Sequence, residues 1–167
     1  VNGGAFTINN STSIALNLGS SLTHTFSGIV MFSKGILNGN SSTLVVNVVS
    51  NSAWRGKGNL FTAGTSTVIF SGNGNQTLAN TTATTFNNLI FSNSGTKSLT
   101  TSRCIVNGVL TMEGNAIVSA APTYGTNSTL KYNRVLARSA GVEWVTPFTG
   151  LGGVQITNSG AITLDNA

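Results

Sequence analysis

The chain has 167 residues, and only 7% of them are charged, against roughly 25% in an average soluble protein. About half are Thr, Ser, Asn or Gly, which are poor helix formers, so a helical bundle is excluded; Gly without a three-residue period and only two Pro exclude collagen. The net charge of +5 comes from a shortage of acids (three, against eight Lys or Arg) rather than from a basic run, so nucleic acid is not expected as a partner.

In chain order, short alternating runs are bounded everywhere by Gly, Asn and Ser, which predicts many short strands and no long helix. The first is Phe6-Thr7-Ile8-Asn9-Asn10-Ser11, with Leu16 after it. His24, between Thr23 and Thr25, reads as an exposed strand residue. Val30-x-Phe32 and Val46-x-Val48 follow at uneven spacing, and residues 17–60 register least well. Val68-x-Phe70 has Leu78 eight positions on, and Leu89-Ile90-Phe91 has Leu99 eight positions on. Cys104 lies in the apolar run Cys104-Ile105-Val106 and reads as a small buried hydrophobe; as the single Cys it can form no disulfide within the chain. Leu110-x-Met112, Leu130-x-Tyr132 and Val154-Gln155-Ile156, with Leu164, complete the series.

The later runs begin at 68, 89, 110, 130 and 154, a period of about 21 residues. A unit of that size made of strands and turns cannot bury its own apolar face. Stacked about 4.8 Å apart, successive units pair their backbones and line up equivalent side chains as interior ladders. The expectation is an all-β chain, a right-handed parallel β-solenoid (β-helix) of roughly eight coils, each with three short strands and Gly or Asn corners. Phe6, Val68, Leu89, Leu110, Leu130 and Val154 are expected in one ladder. Ile8, Phe70, Phe91, Met112, Tyr132 and Ile156 are expected in its neighbour. A β-sandwich would also give short strands and frequent turns, but not a recurring template. Residues 1–167 read as a single solenoid segment of a longer repetitive protein, with further coils or other chains stacked on its open ends.

The order of motifs from Thr85-Phe86-Asn87-Asn88-Leu89-Ile90-Phe91 through Val106-Asn107-Gly108-Val109-Leu110-Thr111-Met112, Ser128-Thr129-Leu130-Lys131-Tyr132-Asn133, Glu143-Trp144, Pro147 and Val154-Gln155-Ile156 resembles the repeat regions of large Bacteroidota cell-surface proteins of the gliding-motility adhesin type. The match covers about residues 75–167 well. The resemblance implies an extended solenoid exported across the outer membrane by type 9 secretion, with a role in adhesion, motility or envelope architecture. It carries no catalytic residues.

The chemistry-bearing residues are few. The acids Glu113, Glu143 and Asp165 are spread over different coils, where a glycosidase needs two carboxylates facing one bond. One His leaves catalytic triads and multi-His metal sites without parts, so no enzyme, cofactor or metal is expected. No apolar run is long enough to cross a membrane as a helix. Lys131, Arg134 and Arg138 could form a small basic patch. Trp54 and Trp144 could stack on sugar rings, with Glu143-Trp144 and Pro147-Phe148 leaving the coil as a loop. Asn10, Asn93 and Asn158 are expected at corners, where Asn tolerates left-handed backbone. The expected role is a stiff structural or adhesive rod on the cell surface. The alternatives are a carbohydrate-binding module touching surface polysaccharide through Trp144 and Glu143, an ice-binding face built on Thr82, Thr84, Thr85, Thr100 and Thr101, and a polysaccharide-degrading β-helix.

Overall fold

A computed structural model describes residues 2–10 and 15–164. It is an all-β solenoid of about 7 turns, about 21 residues apart. The first face is an eight-stranded parallel sheet of Asn2–Gly3, Thr23–Phe26, Thr43–Val46, Thr67–Phe70, Asn88–Phe91, Val109–Glu113, Thr129–Asn133 and Gly153–Ile156. The second face stacks Phe6–Asn9, Val30–Lys34, Ser50–Lys57, Gln76–Thr82, Thr96–Leu99 and Ile117–Val118. The third face is in two pieces. One joins Ala15–Asn17, Ile36–Asn38 and Phe61–Thr62; the other joins Thr84–Phe86, Cys104–Val106 and Thr123–Tyr124. Every strand pair among the described residues is parallel, which excludes the antiparallel β-sandwich.

The interior ladders follow from side-chain alternation on each strand. On the first face His24, Leu44, Val68, Leu89, Leu110, Leu130 and Val154 are successive partners, beside Phe26, Val46, Phe70, Phe91, Met112, Tyr132 and Ile156. From Leu44 to Leu130 and from Phe26 to Tyr132 these side chains are buried. Ile156 keeps the register but is 52% exposed on the last rung. No register shift interrupts this face.

Two expectations are corrected. Phe6 and Ile8 pair with Val30 and Phe32, so they belong to the second face and not to the ladders of Val68 and Phe70. All three faces carry the same apolar-x-apolar alternation, so the pattern marks a strand without saying which face it builds. In residues 17–60 the first-face strand is Leu44-x-Val46, two positions before the run read from the sequence. Behind it His24 occupies a position that Leu fills higher in the stack, and the polar residue hid the repeat. The spacing also swells to 24 residues between Leu44 and Val68, because the second-face strand there is eight residues long and a 3-10 turn, Gly58–Leu60, follows it.

Corners are set by backbone chemistry. Of the Asn residues expected at left-handed corners, Asn93 has φ 61° and its side-chain amide donates to Ser71 O in the turn before, whereas Asn158 does not take up positive φ. Gly56 has φ 95°, and a Cβ there would run into Phe32 O of the preceding turn, so only Gly lets the two strands approach.

Candidate functional site

Polar side chains gather at three places inside the solenoid, and the largest group lies where the last turns close. After Tyr132 the chain forms a short strand at Arg138–Ser139 and then turns back over Gly141–Trp144, with Trp144 N donating to Gly141 O at 3.1 Å. That turn drives the Glu143 side chain into the interior, where it is fully buried. Its Oε1 accepts from Gly141 N at 3.0 Å, Tyr132 OH at 3.0 Å and Arg138 NH2 at 3.2 Å. Gly141 has no Cβ, and one placed there would lie 2.6 Å from Glu143 Oε2. Tyr124 OH donates to the Glu143 backbone carbonyl at 2.7 Å. Burial, and then the nearby Glu143 carboxylate, hold the Tyr132 phenol well above its usual range; burial does the same at Tyr124. Both phenols therefore keep their protons and act as donors.

Trp144 is half-buried and stacks on Tyr132 with ring centroids 6.0 Å apart; Phe148 meets Tyr124 edge-on at 4.8 Å. The loop expected to leave the coil instead folds back onto the core. Glu143, named as a possible glycan contact, is sealed from solvent, and Trp144 gives one face to Tyr132 rather than standing as an open platform.

The expected basic patch is dismantled in the same region. Arg138 NH1 donates to Ala116 O at 2.8 Å and Arg134 NH2 to Asn115 Oδ1 at 3.1 Å. Burial lowers the Arg134 pKa, with the Arg138 charge adding to it. Lys131 points outward from the first face between Thr111 and Gln155. Glu113 accepts from Asn133 Nδ2 at 2.9 Å and does not join Glu143. Asp165 lies outside the described residues. Among the described residues no three of His, Cys, Asp and Glu come together.

The second place is a corner of the second face. Lys97 is fully buried. Its Nζ donates to Gly72 O at 2.8 Å, Gly74 O at 3.3 Å, Ser94 O at 3.0 Å and Gln76 Oε1 at 2.8 Å. Gln76 in turn donates from Nε2 to Val46 O and Val48 O and accepts from Gly72 N. The two are direct partners on adjacent rungs. Burial lowers the Lys97 pKa to about 8.

The third is His24, which is buried rather than exposed. Its Nε2 lies 2.9 Å from Leu18 O, so the ring closes the corner beneath Leu44. Cys104 is buried as expected, and burial pushes its thiol up to about 12, where it stays protonated and unreactive. Trp54 is wholly interior and offers nothing to a sugar. Thr84, one of the Thr residues weighed for an ice-binding face, is buried too. The Thr residues that do stand in register are Thr23, Thr43 and Thr67, on the first face. Signals for His24, Gln76 and Lys97 were present: each sits two positions before an interior apolar residue (Phe26, Leu78, Leu99) and so shares its inward phase.

Comparison with protein-family models, curated proteins and solved structures returned no match. The likeness to Bacteroidota surface repeats therefore rests on the order of sequence motifs alone.

Proposed function

We propose that the chain is a non-enzymatic structural and adhesive segment of a bacterial cell-surface rod, serving attachment, motility or envelope architecture. The observation that carries this reading is the first face, where successive turns stay in register from Thr23 to Ile156 without a shift. Seven rungs, with six spacings of about 4.8 Å, make a shaft of roughly 29 Å from first to last rung whose backbone bonds run along its length. Such a shaft transmits load along its axis and presents a repetitive Thr, Ser and Asn surface of low charge. Polar side chains within it are spent on corners and on closing the last turns.

In this reading the chain is exported to the cell surface, by type 9 secretion if the motif resemblance is one of descent. Its partners are surface polysaccharide and further coils or other chains stacked on the last rung, where Ile156 extends the inner ladder but is half open. The experiment tethers the purified chain to beads. It measures their retention under flow on whole bacterial cells and on immobilised envelope polysaccharide, and assays the polysaccharide for released sugar. Saturable retention without release is expected. Release of sugar, or no retention on either surface, overturns the reading.

A further inference from the structure

The third face carries a single internal interruption among the described residues. Phe61–Thr62 pairs with Ile36–Asn38, and Thr84–Phe86 pairs with Cys104–Val106, but no ladder joins the two strands to each other. The same two turns are joined on the first face by four in-register pairs, from Thr43 with Thr67 to Val46 with Phe70. On the second face they are joined through two register shifts, between Gln76 and Leu78 and between Asn80 and Thr82. One interface in the stack thus has one regular ladder, one bulged ladder and one missing ladder.

Aromatic packing fills the space behind the gap. Trp54 lies at its centre, with ring centroids 4.8 Å from Phe32, 5.2 Å from Phe61, 5.7 Å from Phe86 and 6.0 Å from Phe70. Phe61 and Phe86 face each other across the interruption at 6.0 Å. Outside them is a cleft of about 330 Å³ between Thr62–Gly64 on one side and Thr85–Asn87 on the other. One corner is stapled by side chains. Thr82 Oγ1 accepts from Asn59 N at 3.2 Å and donates to Asn59 Oδ1 at 2.7 Å, while Gly58 passes against Thr84 Oγ1 with no room for a Cβ. Two polar atoms at this level are buried without a partner, Trp54 Nε1 and Asn80 Oδ1.

We propose that this interruption is a seam at which the solenoid opens, hinged on the first face and held at one corner by Thr82 and Asn59. Ladder hydrogen bonds are directional and fix the separation of two strands, whereas ring packing is non-directional and lets them part by small steps. Closure also leaves the Trp54 and Asn80 atoms dry and unbonded, a cost that opening to water removes. Bending or pulling the rod would therefore part the turns here before it parts the neighbouring turns on either side, which keep all three ladders, uncovering the Trp54, Phe61 and Phe86 rings. The seam goes beyond the rod reading and would hold for any role of the solenoid.

Hydrogen exchange read by mass spectrometry on the full chain tests it. Amides at 62–64 and 85–87 are expected to exchange at least ten times faster than those at 37–39 and 105–107, which lie in bonded rungs on either side. Thr82→Val, an exposed change that removes the staple hydroxyl, is expected to speed exchange at 84–86 by about tenfold while leaving 105–107 unchanged. Equal protection of all four segments in the native chain overturns the proposal. So does a Thr82→Val effect spread evenly over the solenoid.

Discussion

Lys97 Nζ donates to Gln76 Oε1 at 2.8 Å across one rung of the second face, and both side chains are fully buried. Each residue satisfies what the other leaves open. The corner turns the Gly72, Gly74 and Ser94 carbonyls inward, the ammonium supplies donors for them, and Gln76 takes the adjoining N–H and two further carbonyls. The corner is thus a fully bonded polar core inside an apolar tube, the arrangement in which loss of one member costs most.

Lys97→Met keeps the stem and removes the donors, stranding acceptors in a dry corner. The expected loss is about 2–4 kcal/mol of unfolding free energy, since each stranded group costs about 1–3 kcal/mol and some relax. Urea denaturation measures it. Lys34→Met, at a surface position, is the control and should change stability by less than about 0.5 kcal/mol.

The same buried groups give stability a defined pH profile. Lys97 has a folded pKa lowered from 10.5 to about 8, so between those values the unfolded chain binds the extra proton and stability rises with pH. Cys104 has its pKa raised from 9.0 to about 12. From pH 9 upward the unfolded chain loses that proton first, and stability falls with pH. The phenols of Tyr124 and Tyr132, raised above 10, act in the same sense from pH 10 upward. Urea midpoints from pH 7 to 11 should climb between 8 and 9, level between 9 and 10 as Lys97 and Cys104 offset each other, and drop beyond 10. In Lys97→Met the climb should vanish and the drop should remain. A wild-type profile that is flat from 7 to 11 contradicts these assignments.

Glu143→Ala leaves the partly buried Arg138 cation without its carboxylate and frees the Tyr132 hydroxyl. A cost of about 3–5 kcal/mol is expected, because breaking a buried pair from one side uncovers the remaining charge. Trp144→Ala should lower the thermal midpoint through lost packing on Tyr132, while retention on polysaccharide stays within twofold of wild type at a temperature where both are folded. Loss of polysaccharide binding without loss of stability would return Trp144 to the role of a sugar contact.

Phe91→Ala opens a cavity in the middle of the inner ladder, where Phe91 lies under Met112 and contacts Phe70 at 5.8 Å. A cost of about 3–5 kcal/mol is expected. Ile90→Thr on the same strand faces outward and keeps the β-branch, so less than about 1 kcal/mol is expected. Calorimetry on the two variants compares them, and similar costs would mean that the inward and outward faces are assigned wrongly.

Much of this architecture could be read from the chain because a solenoid repeats its own solution. Val68, Leu89, Leu110, Leu130 and Val154 are spaced by the circumference of a turn, and strand alternation carried Phe70, Phe91, Met112 and Tyr132 with them. Phe6 and Ile8 were assigned to the wrong face because alternation says in or out, not which side of the tube. His24 is expected outside and lies inside for a different reason, one that Lys97 and Gln76 share. Composition treats a polar residue as surface, whereas a tube with tight corners points carbonyls inward and needs donors there. Glu143 is legible only in three dimensions, since its partners Tyr132, Arg138 and Gly141 are joined by a turn that no period announces.

The unbroken register of the first face also bears on how such a chain could change over generations. Leu89 stands beside Leu110 as Leu110 stands beside Leu130, so a copying slip that doubled residues 89–109 would add one whole storey and leave the rest of the building aligned. Lengthening by unequal recombination would then be tolerated where most insertions are not, and related genes would differ in multiples of this unit.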